Sequence, residues 1–228
     1  MGRLMLSFHS TGGTERREAR IREAVIAGWT GRDAEAVEKH IRELEGLGVK
    51  RPTTTPIFYR VAASRLTTSG AIEVLGTASS GEVEFVLYQA GGRLWVGVGS
   101  DHTDREAETV GVSLSKQMCD KPIAPEFWAF DDVAAHWDRL ILRSFIVEGG
   151  ALVLYQEGPV TAMRAPSDLI ARYSNAAQLG DDTLMFCGTL AAKNGVRPAK
   201  RFEFELEDPV RGRKIAYGYD IISLPVLG

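Results

Sequence analysis

The sequence predicts a mainly β protein with a few helices, an α+β chain. Three observations carry this: a series of short β-type runs from Ile57 onward, glycine pairs that punctuate them, and one clear amphipathic helix upstream. Taken in order, residues 3–8 alternate loosely and read as a short strand, and Ala24–Trp29 reads as another. The charged stretch Glu15–Glu23 between them reads equally as strand or helix. Asp33 can cap a helix in which Ala34, Val37, Ile41, Leu44 and Leu47 recur at spacings of three and four, ending at Gly46 or Gly48. Val49–Pro56 has two prolines and no periodicity, so it reads as a loop. The β-type runs follow at 57–62, 71–75, 82–89, 94–99, 140–147, 151–157, 183–189, 200–207 and 214–222. Ala90-Gly-Gly92 and Glu148-Gly-Gly150 are the hairpin turns such runs require. One further helix is expected over Ser167–Ala177, with Ser167 as its cap and Leu169, Ile170 and Tyr173 on its apolar face.

The 228 residues suit one large domain, or one domain with a small appendage, and suffice for a sizeable core. With 27 Lys+Arg against 30 Asp+Glu the net charge is −3, so no field pulls the chain toward phosphate backbones and nucleic acid is not expected as a partner. Apolar residues make up 44% and charged residues 25%, the usage of a compact folded chain. Cys119 and Cys187 cannot build a disulfide framework, and Met118 and Phe186 beside them suggest packed thiols in a reducing compartment. Residues 1–9 lack a long apolar segment, Leu6 stands where a myristoylation signal wants Ser or Thr, and no run approaches a membrane span. A cytoplasmic protein with no membrane partner is expected.

Three constellations can carry chemistry. Glu82 and Glu84 lie two apart on a β-type run, so both carboxylates point to one face amid Val83, Phe85, Val86 and Leu87. Two carboxylates on a partly buried face repel each other, and a hard divalent cation (Mg²⁺, Mn²⁺ or Ca²⁺) relieves this; a solvent-facing strand edge gives the same pattern. In Val98-Gly-Ser-Asp-His-Thr-Asp-Arg-Glu106 an apolar strand runs into a polar cluster, either a presented site or a solvated turn with Asp101 capping a short helix. Lys116 adds a cation nearby. His40 and Glu43, three apart on the helix, form either a general-base dyad or part of an exposed ion-pair face with Lys39, Arg42 and Glu45. Gly-x-Gly-x-x-Gly, P-loop, Gly-x-Ser-x-Gly, His-Glu-x-x-His and Cys-x-x-Cys motifs are absent, which removes the usual support for nucleotide, serine-hydrolase and zinc readings.

The order of these segments resembles the fumarylacetoacetate hydrolase family. There, a motif near Asn-Tyr-x-x-His-x-x-Glu precedes Pro-x-x-Phe-x-Lys, Glu-x-Glu, Asp-x-x-x-Arg-Asp, Lys-Ser-Phe and Gly-Asp…Thr-Gly-Thr-Pro. Here Ala36-Val-Glu-Lys-His40-Ile-Arg-Glu43, Pro56-Ile-Phe-Tyr-Arg60, Gly81-Glu-Val-Glu84, Asp101-His-Thr-Asp-Arg-Glu106, Ser115-Lys-Gln117 and Leu179 to Leu190 follow in the same order. The resemblance spans residues 25–222 and extends to an uncharacterised bacterial branch of domains of unknown function. The Asn-Tyr pair is missing, Arg60 stands in place of Lys, Glu106 in place of Asp and Leu190 in place of Pro.

The resemblance implies a rolled mixed β-structure, with residues 1–55 as N-terminal strands and a lid helix and 56–228 as the catalytic domain. It makes Glu82, Glu84 and Asp101 the ligands of Mg²⁺ or Mn²⁺, with Ca²⁺ as a further option. Lys116 then stabilises charge, His40 oriented by Glu43 moves a proton, and Gly188, Thr189, Arg60 and His102 bind substrate. The segment before Pro56 becomes a lid hinge. The implied activity is that of a metal-dependent hydrolase or lyase cleaving a C–C bond of a 1,3-dicarbonyl or 2-oxo acid through an enolate. Two alternatives are a sugar-acid dehydratase or oxo-acid decarboxylase, and a non-catalytic small-molecule-binding domain with a degraded site. A homodimer is expected from the same resemblance.

Overall fold

The computed structural model describes residues 1–46 and 51–227, the side chains of His40, Glu43 and Leu44 excepted. The chain opens with a hairpin of β1 (Gly2–Ser10) and β2 (Gly13–Ile21), followed by β3 (Glu23–Gly28), helix α1 (Ala34–Gly46) and β4 (Ile57–Val61). After the two-residue β5 (Leu66–Thr67) come β6 (Ala71–Leu75) and the two-residue β7 (Ser79–Ser80), then a long hairpin of β8 (Val83–Ala90) and β9 (Arg93–Ser100). Its turn residues Gly91 and Gly92 have φ of 60° and 70°, which a two-residue hairpin turn demands and glycine supplies without strain. Next are β10 (Thr103–Asp104), the short helices α2 (Arg105–Val110) and α3 (Val112–Met118), β11 (Lys121–Pro122), β12 (Glu126–Ala129) and α4 (Asp131–Ala134). The hairpin of β13 (Ile141–Glu148) and β14 (Ala151–Pro159), helix α5 (Pro166–Ser174), β15 (Thr183–Thr189), β16 (Arg201–Asp208) and β17 (Arg213–Leu224) complete the described chain.

Two sheets dominate. One has eight strands in the order β2-β1-β12-β9-β8-β15-β3-β4, the other five in the order β14-β13-β16-β17-β6. Pairing is mostly antiparallel, with parallel joins at β1–β12, β15–β3 and β17–β6. Strands from both sides of residue 55 therefore share one sheet, with β3 and β4 as hydrogen-bonded neighbours. Every residue of β8 is buried, because its side chains alternate between two cores. Val83, Phe85 and Leu87 pack between the sheets against Leu142, Phe202 and Phe204. Val86 and Tyr88 face a second core with Leu6, Phe8, Phe127 and Phe186 on the other side of the large sheet.

Several local readings are settled by this packing. The charged stretch 15–23 is strand in its first part: β2 is an edge, so its outward side chains can stay solvated while Ala19 and Ile21 turn inward and the Arg17 guanidinium lies 4.2 Å over the Phe8 ring. Asp33 caps α1 as expected, its carboxylate accepting from the Glu35 and Ala36 N–H groups at 3.0 and 3.1 Å. Helix α5 differs: it is entered from Ala165, with Pro166 in its first turn, so Ser167 already lies inside it. Proline's fixed φ suits that position and its missing N–H is no loss there. Helix α2 is the short helix that one reading of the polar cluster allowed, and it buries no residue and so has no apolar stripe of its own to read; α3 has no counterpart in the sequence reading. No described helix is long and apolar enough to cross a membrane.

Candidate metal centre

The β8–β9 hairpin brings three carboxylates to one end. Val83 pairs with Ser100 across it, and the Asp101 N–H donates to the Glu82 carbonyl at 3.0 Å, so the segment entering β8 lies beside the segment leaving β9. Glu82 and Glu84, two residues apart, point the same way. One ligand oxygen from each of Glu82, Glu84 and Asp101 lies within 4.8 Å of the others; among the described residues this is the one cluster of metal-ligating type. Glu84 is 2% exposed and Asp101 fully buried.

Cations surround the cluster without neutralising it evenly. Lys116, buried on α3, hydrogen-bonds Asp101 Oδ2 through Nζ and stands 3.9 Å from Glu82 Oε2. Lys121, fully buried, lies 3.2 Å from Asp101 Oδ1 and donates to the His102 carbonyl. Arg105 reaches Glu82 Oε1 at 3.2 Å and Glu108 at 3.0 Å, and donates from Nε to Ser80 Oγ at 2.7 Å. Burial pushes the Asp101 carboxyl up, but Lys116 and Lys121 outweigh it and hold it below the usual range. Glu84 ends on the other side: burial, reinforced by repulsion from Asp101, raises it well above the usual range despite Lys116 and the Gly188 N–H. Lys116 is held charged because Asp101 and Glu82 overcome the effect of its own burial. A buried, all-oxygen donor set whose second glutamate lacks sufficient compensating charge fits a hard divalent cation.

The other expected site residues fall out unequally. Lys116 is at the centre. His102 is not offered to a substrate: its ring is fully buried, with Nδ1 2.8 Å from the Tyr219 hydroxyl and Nε2 2.9 Å from Ser79 Oγ, and burial drives its pKa down to about 3. Arg60 points to the wrong face: strand alternation sets it with Phe58 and Tyr173, opposite Tyr59, and it binds Glu23 at 3.0 Å. The Gly188 N–H, expected to hold substrate, instead donates to Glu84 Oε2 at 2.6 Å. The Thr189 hydroxyl donates to the Val83 carbonyl at 2.8 Å. The side chains of His40 and Glu43 lie outside the described residues, although their backbone belongs to α1. Asp104, not Asp101, caps the following helix, accepting from the Ala107 N–H at 2.8 Å.

The sequence pattern assigns no role to Arg105 or Lys121, whose charges matter only because the chain folds back, Arg105 onto Glu82 and Lys121 onto Asp101, across separations that no periodic pattern marks. Tyr59, quoted only as part of a motif, has its ring 6.0 Å from Lys116 Nζ and its hydroxyl hydrogen-bonded to Trp29. A cleft of about 420 Å³ lined by Ala78, Arg105, Glu108, Val196, Arg197 and Pro198 opens next to Arg105. Both guanidinium groups that line it are already paired, Arg105 with Glu82 and Glu108 and Arg197 with Glu148.

The sequence profile of the family described as "Protein of unknown function (DUF2848)" matches residues 27–219. No curated protein matches the chain. Solved structures do. Cg1458 superposes with a TM-score of 0.65 at 15% identity, over 93% of this chain and 81% of its own. 2-Keto-3-deoxy-D-arabinonate dehydratase in its apo form gives 0.66 at 14% identity, over 93% and 77%. The same dehydratase complexed with magnesium and 2,5-dioxopentanoate gives 0.65 at 15% identity, over 94% and 78%. At these identities the likeness establishes the fold, and it is the rolled β-fold that the family resemblance implied.

Proposed function

The chain belongs to the DUF2848 family, and on that premise we propose that it is a divalent-metal-dependent lyase acting on a small 2-oxo acid, eliminating water from a deoxy sugar acid or carbon dioxide from an oxo acid. The observation that carries this reading is the buried Glu82–Glu84–Asp101 cluster with Lys116 held charged beside it. Glu82, Glu84 and Asp101 would hold Mg²⁺ or Mn²⁺, which supplies Lewis-acid polarisation of a carbonyl. Lys116 places a fixed positive charge where negative charge develops on a substrate oxygen, in a site where burial strengthens that attraction. Arg105, pinned between Glu82 and Glu108, holds the Glu82 carboxylate in place at the edge of the cluster. The proton transfer is assigned to His40 and Glu43 on the family resemblance alone.

Elimination ranks above the C–C hydrolysis also implied by the family resemblance because similar folds include a sugar-acid dehydratase crystallised with magnesium and an oxo acid. The test is a panel of 2-oxo-3-deoxy sugar acids, oxaloacetate and acylpyruvates, each with and without Mg²⁺ or Mn²⁺. Metal-dependent loss of water or carbon dioxide is expected. Turnover of acylpyruvates alone would restore the hydrolase reading, and metal-independent turnover would overturn the proposal. On the substrate so found, His40→Ala should lower kcat by about a hundredfold or more, the scale of general acid–base catalysis, and leave metal affinity unchanged.

A further inference from the structure

The ladder between β8 and β15 breaks next to the carboxylates. Register slips between Phe186 and Thr189, and Gly188, at φ +97°, turns its N–H onto Glu84. Such a bulge leaves ladder partners missing. The Glu82 carbonyl faces β9, where it accepts from Asp101, so the N–H and C=O of Val83 face the end of β15, one residue past the last ladder pair, Glu84 with Thr189. Side chains take both: the Val83 N–H donates to Gln156 Oε1 at 3.0 Å, and its carbonyl accepts from Thr189 Oγ1 at 2.8 Å.

Gln156 comes from β14, in the other sheet, and is 1% exposed. Its Oε1 also accepts from Ser144 Oγ at 2.8 Å, and its Nε2 donates to Thr189 Oγ1 at 2.9 Å and to the Leu190 carbonyl at 2.5 Å. All four hydrogen-bonding positions of the amide are used. Glutamate could not donate to Leu190, methionine could neither donate nor accept, and asparagine is one carbon too short to span the same gap.

We propose that Gln156 is a positioning residue for the candidate metal centre: from the second sheet it locks the start of β8 against the Gly188–Thr189 bulge and so fixes the direction in which Glu84 presents its carboxylate. The proposal rests on the metal reading above. It adds that the five-stranded sheet, which supplies no ligand, governs the affinity of the site.

The experiment measures Mn²⁺ affinity by calorimetry and by electron paramagnetic resonance, at a temperature well below the melting point of each variant. Gln156→Met should weaken Mn²⁺ binding about 10–100-fold, the range for loss of a group that orients a metal ligand. Asp208→Asn, a destabilising change far along the chain in β16, should melt earlier yet bind Mn²⁺ as wild type does, which separates positioning from general loss of stability. Should Gln156→Met not fold, Thr189→Val removes the hydroxyl through which Gln156 reaches the Val83 carbonyl and should weaken binding severalfold. Wild-type affinity in folded Gln156→Met, or in Thr189→Val where that variant stands in, overturns the positioning role alone. Absence of Mn²⁺ binding by the wild type overturns the metal reading and this inference with it.

Discussion

At the residue scale, Glu84 and Asp101 show how one cluster sets two carboxyls apart. Asp101 leans on two buried lysines, whereas Glu84 has one N–H donor and the repulsion of its neighbours. Removing Asp101 would leave Lys121 a buried, uncompensated cation and Lys116 with Glu82 at 3.9 Å as its remaining ion-pair partner, a change that costs about 3–5 kcal/mol and confuses any functional test. Glu84→Gln is the cleaner variant, since the amide oxygen can still accept from Gly188. It should retain or raise the stability of the metal-free protein in denaturant titration while lowering Mn²⁺ affinity by more than about a hundredfold, beyond the loss typical of an orienting group. Another buried carboxyl, Asp208, is a structural counterpart. Burial raises it, but His136 at 3.0 Å, the Arg211 N–H at 3.2 Å and Arg213 at 3.1 Å leave it below the usual range. A depressed folded pKa contributes stability above the unfolded value of about 3.9 and loses it as pH falls further, through the folded pKa. The denaturation midpoint of Asp208→Asn should therefore lie below wild type at pH 7, and the gap should close as pH drops below about 4.

At the element scale, the ends of strands do the positioning. Parallel β3 and β15 finish side by side, with Thr30 following the first and Gly188 near the end of the second. A Cβ on Gly188 would stand 1.7 Å from Thr30 Oγ1, and the backbone there has φ +97°, a conformation side chains disfavour. Gly188→Ala should thus destabilise the fold by about 2 kcal/mol or more in chemical denaturation. Because the same N–H serves Glu84, it should also weaken Mn²⁺ binding. The hairpin β8–β9 was legible from its two β-type runs and the glycine pair between them. The bulge in β15 was not, because Gly188-Thr189 differs from any strand-ending Gly-Thr only in what it meets across the sheet.

At the scale of the whole molecule, the two sheets meet across a core that includes β8, so Glu84 sits on a strand whose every residue is buried, with Glu82 just before it and Asp101 just after β9. A ligand that binds only the folded chain stabilises it by mass action, about 2.7 kcal/mol at a hundred times its dissociation constant. For a chain of this size that corresponds to a rise of about 5–10 °C in melting temperature. Saturating Mg²⁺ or Mn²⁺ should produce this shift in scanning calorimetry for the wild type and not for Glu84→Gln; an equal shift in both would place the cation elsewhere.

The β-rich class, the cap of α1, the two glycine hairpins and the placing of Glu82 with Glu84 on one face could be read from the residues alone, because each depends on neighbours within a few positions. The order of motifs added Asp101 and Lys116. It took the folded chain to make β2 an edge strand, to turn Arg60 away, to seal His102 between Ser79 and Tyr219, to bring Arg105 and Lys121 onto the carboxylates and to set Gln156 against the Val83 backbone between two of them. Those outcomes turn on burial and on contacts between segments far apart in the chain. A polar side chain's role is fixed by which partners desolvation leaves within its reach, and local sequence pattern carries no record of that.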